Sequence, residues 1–254
     1  MTTRTGPSGP PALPWSLPVL AERARRLAQP GRRRLLGLAG PPGAGKSTLA
    51  AALCDALGAE AARVPLDGFH LAGNILAGLG LAGRKGSPET FDAGGFHALL
   101  ARLRTNREQV VYAPEFFRDL EEPIAAALAV PRTVPLVIVE GNYLLYDEGP
   151  WHGTAGFFDE IWYLCPDETA RRRRLVRRHQ SYGRTAAEAE AWAACNDERN
   201  ARLIAATRSR ATAIIIPPDA SSPDAEQAAA GPGRDCLGRV ARGNRTPGLP
   251  QIRA

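Results

Sequence analysis

Five short apolar runs punctuate the chain: Leu35-Leu36-Gly37-Leu38-Ala39, Arg63-Val64-Pro65-Leu66-Asp67, Pro135-Leu136-Val137-Ile138-Val139-Glu140-Gly141, Ile161-Trp162-Tyr163-Leu164-Cys165 and Ala213-Ile214-Ile215-Ile216. Runs this short and this continuous read as strands buried on both faces, as in a parallel sheet. Between them the apolar spacing switches to three and four. Leu17, Leu20, Ala21, Ala24 and Leu27 predict a helix from Ser16 to Ala28, ended by Pro30-Gly31. Leu49, Leu53 and Leu57 carry a second helix and Phe96 to Leu103 a third. Pro166-Asp167 opens a fourth, with Asp167 as N-cap, and Thr185 to Ala205 reads as a fifth. Strands alternating with helices predict an α/β fold around a mostly parallel sheet. Val110 to Ala113 reads as a short extra strand, and Pro114 to Asp119 as irregular. Ala72 to Gly95 reads as a long Gly-rich loop, of the kind used as a binding loop or lid. Residues 1–14 and 217–254 hold few large apolar side chains and are expected to be disordered, leaving 15–216 as one folded domain.

The first run leads directly into Gly40-Pro41-Pro42-Gly43-Ala44-Gly45-Lys46-Ser47-Thr48, a strand, a glycine-rich turn and the start of a helix. The spacing matches the P-loop pattern without a mismatch. Glycines let successive N–H groups point inward at phosphate oxygens, and the following helix adds its free N–H groups and dipole. Lys46 is placed to reach the terminal phosphates and the Ser47 hydroxyl to ligate Mg²⁺. Two carboxylates stand at the carboxyl ends of later strands, the rim where α/β sheets bind ligands: Asp67, and Glu140 in a Walker-B-like position to support the metal. After Asp167, Arg171, Arg174 and Arg178 share one helix face, which suggests a lid over transferring phosphoryl oxygens, spanning about 167–200.

Charge and composition narrow the chemistry. The net charge of +6 is concentrated in residues 1–34, where seven arginines stand against Glu22; the folded part is near neutral. That distribution argues against nucleic-acid binding. Lysine occurs only at 46 and 85, so no lysine remains for the guanine-reading Asn-Lys-x-Asp motif, and ATP is expected in preference to GTP. Against so strong a preference for arginine, Lys85 also draws attention. Cys54, Cys165, Cys195 and Cys236 form no CxxC pair and read as structural thiols. No apolar run is long enough to span a membrane and no signal core is present, so a cytoplasmic protein without membrane contacts is expected.

Together, the P-loop, Asp67-Gly68-Phe69-His70, Arg84-Lys85-Gly86-Ser87-Pro88-Glu89-Thr90-Phe91-Asp92, Glu140-Gly141-Asn142-Tyr143-Leu144-Leu145, Arg174-Leu175 to Arg178-His179, and Asn200-Ala201-Arg202-Leu203-Ile204 resemble the pantothenate kinase, uridine kinase and phosphoribulokinase branch of P-loop kinases. The likeness covers about residues 15–216 and is nearest to bacterial nucleoside/nucleotide kinase family proteins, some called fructose-transport kinases. It implies a three-layer P-loop sandwich with a helical lid. It further implies Asp67 as the base toward the substrate hydroxyl, Glu140 near metal or substrate, and Arg174 and Arg178 on ATP phosphates. Its segments place His70, Lys85, Phe91, Arg118, Asn142 and Tyr143 on the substrate side. Two positions depart from the pattern: Phe117 stands where Asp is expected before Arg118, and Arg199 replaces Pro in Asp-x-Pro-Asn.

The resulting expectation is an ATP- and Mg²⁺-dependent kinase acting on a hydroxyl of a small metabolite of nucleoside, pantothenate or sugar type, with homodimerisation open. Its rival is a P-loop regulator or NTPase that has no metabolite acceptor.

Overall fold

The computed structural model describes residues 9–29 and 31–218. In chain order the elements are β1 (Ala12–Leu13), α1 (Leu17–Leu27), β2 (Arg34–Ala39), α2 (Lys46–Leu57), β3 (Ala61–Pro65), α3 (Gly73–Gly78), α4 (Ala93–Thr105), β4 (Val110–Phe117), β5 (Glu122–Pro131), β6 (Leu136–Gly141), β7 (Glu160–Leu164), α5 (Glu168–Ser181), α6 (Ala186–Trp192), α7 (Glu198–Ala205) and β8 (Ala213–Ile215). Six strands form one sheet in the order β1-β8-β7-β2-β6-β3, every pair parallel.

The period of two along each strand divides the core. Leu35, Val137, Val139, Ile161 and Tyr163 face a layer containing Phe96, Leu99, Leu100 and Leu103 of α4 together with Tyr143 and Trp151. Leu36, Leu38, Ile138, Trp162 and Leu164 face Leu20 and Ala24 of α1 and Leu49 and Leu53 of α2. The result is the expected three-layer sandwich. β2 and β6 are buried along nearly their whole length, which is why they read as unbroken apolar runs. The arginines before β2 are built into the fold: Arg33 is buried against the Val134 carbonyl, and Arg34 pairs with Asp159 at 2.6 Å.

Several expectations change. Within the segment read as disordered, Ala12–Leu13 pair with Ile214 and Ile215 at the sheet edge. Residues 1–8, Pro30 and the tail from 219 lie outside the described residues, as does Cys236. Ala72 to Gly95 contains α3 and tight turns at Ala82–Arg84 and Pro88–Thr90. Pro114 to Asp119 is largely strand: β4 runs to Phe117 and pairs antiparallel with β5, with a register shift between Ala113 and Glu115 that accommodates Pro114. The helix expected over Thr185 to Ala205 is interrupted by a π-turn at Ala193–Asp197. Such turns re-aim side chains, and here Asn196, Asp197 and Asn200 all find partners across the cleft described below.

Gly68 ties the β4–β5 hairpin to the sheet. A Cβ there would lie 2.4 Å from the Pro114 carbonyl oxygen. Backbone cannot yield as a flexible side-chain end can. Gly68→Ala is therefore expected to destabilise the protein by about 1–3 kcal/mol, a fall of several degrees in melting temperature measured by calorimetry. An unchanged melting temperature would mean that the hairpin moves freely relative to the sheet.

Candidate functional site

Where β2 ends, the chain turns through Gly40, Gly43 and Gly45, all at positive φ (147°, 78° and 92°). Only glycine takes this path without strain. The turn delivers Lys46 to the first position of α2. The Lys46 ammonium donates to the carbonyls of Gly40 (2.8 Å) and Pro41 (3.0 Å) and to Asn142 Oδ1 (2.7 Å). Burial pushes its pKa down to about 8, against the opposing charges of Glu140 and Asp67. Ser47 Oγ donates to Glu140 Oε1 at 2.8 Å. Burial, then the charge of Asp67, holds the Glu140 carboxyl above its ordinary range.

Asp67 sits in the tight turn Leu66–Phe69 just past β3, beside β6 in the sheet. β3 ends at Pro65, two residues short of the expected strand end. The Asp67 carboxylate is one-third exposed to the cleft, and its nearest cation is Arg118, with Nη2 3.4 Å from Oδ2. Burial opposes its ionisation, but His70, Arg118, Lys46 and Arg178 outweigh that and hold the carboxyl below the usual carboxylate range. The His70 ring lies between Phe91 and Phe116, with centroids at 4.0 and 5.0 Å.

The basic face of α5 closes the third side. Asp167 caps the helix by accepting from the Ala170 N–H. Arg171, fully buried, pairs with Glu168 and Glu198 and donates to the Pro42 carbonyl at 3.1 Å, so it fastens α5 to the P-loop. Arg174 Nε donates to the Gly43 carbonyl at 3.0 Å, while its Nη2 is buried with no partner. A buried donor without an acceptor is costly, and next to a phosphate-type nest its natural partner is an anion oxygen.

These walls enclose one cleft of about 640 Å³. It brings together Pro42, Gly43, Gly45, Lys46, Ser47, Thr48, Asp67, His70, Lys85, Phe91, Arg118, Glu140, Asn142, Arg174 and Arg178 of the expected site. Gly40, Pro41 and Ala44 shape the loop without lining the cleft. Tyr143 is a correction: it is fully buried, stacks near Phe91 and Trp151, and donates to the Gly86 carbonyl at 2.6 Å. It braces the Lys85 loop from behind rather than facing the cleft. Lys85 itself pairs with Glu121 and lies 4.8 Å from the Phe116 ring centroid. Tyr182, Arg184, Trp192, Asp197 and Asn200 line the cleft without having been expected there. His179 and Asn200 belong to segments already singled out, but their placement depends on how the lid folds back.

The donor set suits a nucleotide and a hard divalent cation. Among the described residues no group of three His, Cys, Asp or Glu could hold a metal. Ser47 and Glu140 together offer two oxygen ligands, which fits Mg²⁺ drawing its other ligands from phosphates and water. No helix among the described residues is long and apolar enough to cross a membrane.

No family model matches the chain. It is 34% identical over 181 residues to a Schizosaccharomyces pombe protein named "Putative uridine kinase C227.14", covering 68% of this chain and 77% of that one. It is 35% identical over 201 residues to "Uncharacterized protein YggC" of Escherichia coli, covering 76% and 81% respectively. A solved structure described as a "putative fructose transport system kinase" from Silicibacter sp. TM1040 superposes with a TM-score of 0.71 at 37% identity, over 78% of this chain and 98% of that one. The fold, the P-loop and these relatives agree: the chain belongs to the P-loop small-molecule kinases.

Proposed function

We propose that this kinase transfers the γ-phosphoryl group of ATP to a hydroxyl of a small metabolite, with Asp67 orienting the acceptor. The observation that carries the reading is the single cleft in which the P-loop, the Ser47–Glu140 pair and Asp67 face one another. A nucleotide-binding regulator has no need of the second wall, with Asp67 and His70 set among Phe91, Phe116 and Arg118.

Phosphoryl transfer is largely a matter of position and charge. The amides around Gly43 and Gly45 and the Lys46 ammonium hold the terminal phosphates, and Lys46 exchanges its present carbonyl and Asn142 partners for phosphate oxygens. The unpartnered Arg174 Nη2 takes another oxygen. Arg178, which lines the same wall, adds a second guanidinium. Ser47 and Glu140 would hold Mg²⁺, whose charge would offset that of the phosphates. Asp67 accepts the hydrogen bond of the attacking hydroxyl and receives its proton. The acceptor is of the nucleoside, pantothenate or sugar type; the names of the relatives above include uridine and fructose.

Acceptor-dependent ADP release tests this reading. With Mg·ATP and a panel of pantothenate, uridine, cytidine, ribulose 5-phosphate and fructose, at least one compound is expected to raise ADP release about tenfold or more above the rate without acceptor, a margin small beside what positioned general-base catalysis supplies. Slow hydrolysis indifferent to every acceptor would favour the regulator.

A further inference from the structure

Resting on the kinase reading, we infer that the acceptor carries an anionic group, a carboxylate or a phosphate monoester, and that Arg184 binds it.

The first ground is the pairing of charges on the acceptor side of the cleft. Lys85 has Glu121 and Arg118 has Asp67, while the Asp197 carboxylate is taken by His179 at 2.7 Å. Arg184 lines the same cleft and, among the described residues, makes no hydrogen bond or ion pair through its side chain. The nearest acid in sequence, Glu188, feels the Arg184 charge but makes its hydrogen bonds elsewhere: its Oε2 accepts from the Thr185 N–H (2.9 Å) and hydroxyl (2.8 Å) in the capping box that starts α6. Of the cleft's arginines, Arg174, Arg178 and Arg184 are left without an ion pair among the described residues, and of these only Arg184 comes from the segment after α5 rather than from the face of α5 beside the P-loop.

The second ground is preorganisation. The Arg184 N–H donates to the His179 carbonyl at 3.2 Å and the next residue, Thr185, caps α6, so its backbone is held on both sides. Its guanidinium lies 4.0 Å from the Trp192 ring centroid. This contact over the ring favours one position of the guanidinium while its N–H groups make no hydrogen bond among the described residues, which suits bidentate recognition of a carboxylate or phosphate.

The third ground is location. Arg184 and Trp192 also line an adjoining cavity of about 440 Å³, whose charged walls are Arg84, Arg199 and Glu188 and which no residue of the P-loop lines. They therefore stand on the Lys85-loop side, where the nucleotide phosphates do not reach. Arg174 and Arg178 remain for those phosphates.

The test compares charged acceptors with neutral counterparts: pantothenate with pantothenol, D-glycerate with glycerol, and ribulose 5-phosphate with ribulose, with uridine and fructose as further neutral compounds. At least one anionic member is expected to exceed its neutral partner about tenfold or more in kcat/KM. The pairs also separate carboxylate from phosphate. Arg184→Gln is expected to raise the KM for that acceptor about 10- to 100-fold, the size of a lost charge-assisted hydrogen bond. Arg184→Lys recovers part of the loss, while Arg173→Gln, on an exposed residue outside the cleft wall, changes nothing. A neutral compound as the preferred acceptor, or an Arg184→Gln enzyme with acceptor KM within twofold of the parent, overturns the inference while leaving the kinase reading intact. A second measurement does not depend on turnover. With the P-loop filled by Mg·ADP, acetate and inorganic phosphate are titrated while tryptophan emission is followed, with Trp192→Phe as the reference. A saturable change in the parent that Arg184→Gln abolishes supports the anion site even if no acceptor in the panel reacts, in which case it is the kinase reading that fails. No saturable change with either anion overturns the site.

Discussion

Lys46→Met is expected to lower kcat by about 10²- to 10³-fold, the usual cost of removing one preorganised charge from a site where negative charge is held. Methionine keeps the length and apolar stem of lysine and removes only the ammonium. The environment makes the loss specific. Lys46 is almost fully buried at the start of α2, and burial has already pushed its pKa down to about 8. The fold thus tolerates a desolvated cation that its own core does not favour, a cost usually kept only where function needs it. The ammonium is held by two loop carbonyls and Asn142. Those neutral acceptors are weaker partners than phosphate oxygens, so the charge is available to the nucleotide. Thermal melting should shift by only a few degrees, because the apolar contacts of α2 through Leu49, Leu53 and Leu57 remain. Steady-state kinetics together with melting would decide the matter. A variant that stays folded and retains full kcat would remove Lys46 from the chemistry.

The parts of this site that could be read from sequence are those set by short-range constraints. Gly40 to Thr48 specify their own turn: Gly40 and Gly45, which the motif requires, take positive φ, and so does Gly43 at a position the motif leaves open. Asp67 and Glu140 could be placed because a carboxylate ending an apolar run in a parallel sheet has few other places to be. The β4–β5 hairpin was only half visible. Glu122–Pro131 is alanine-rich and exposed over much of its length, so neither period nor propensity marks it, and its pairing with β4 decides its form. The lid shows the same limit. Thr185 to Ala205 carries a helical pattern throughout, yet a π-turn divides it where Asn196 and Asn200 reach the carbonyls of Lys85 and Gly86. Tyr182, Arg184 and Trp192 line the cleft on the same folded-back lid, and no local pattern announces them. Tyr143 misled for the converse reason. It adjoins Asn142, which does line the cleft, but the next residue past a strand end turns back into the core. The two departures from the family pattern leave the wall standing. Phe116 and Arg118, on either side of Phe117, both line the cleft. Asp197 and Asn200 keep their partners although Arg199 replaces proline between them.

Asp67→Asn should leave Mg·ATP affinity near its original value and lower kcat by at least ~10²-fold, as expected on losing a general base. Asparagine fills the same space and still offers an oxygen to the acceptor hydroxyl, so the loss isolates charge and proton acceptance from shape. The carboxyl is held below the usual carboxylate range by the cations around it, with burial opposing them. It is therefore ionised throughout the neutral range but is a poor base toward an unactivated alcohol. That combination suits a reaction in which bond breaking to the leaving group runs ahead of attack, so that the hydroxyl needs aim first and its proton leaves late. The sign of the pH dependence follows. Because the folded-state pKa is depressed, the active anion is lost only as pH falls through that low value, and kcat for the parent should stay level through the neutral range and decline in acid. In Asp67→Asn the part of that decline due to Asp67 should be lost, leaving only the loss from protonating Glu140, whose carboxyl is held above its ordinary range. Arg118 sharpens the comparison. Its 3.4 Å contact with Asp67 is long, and both side chains are about one-third exposed, so the pair contributes little stability and its loss should not unfold the hairpin. Asp67→Glu retains the charge but advances the carboxylate by one methylene into the space of the acceptor, and it should also fall well below the parent. If Asp67→Glu were as active as the parent and Asp67→Asn were not, the residue would be acting through its charge on Arg118 and Lys46 rather than by holding the hydroxyl.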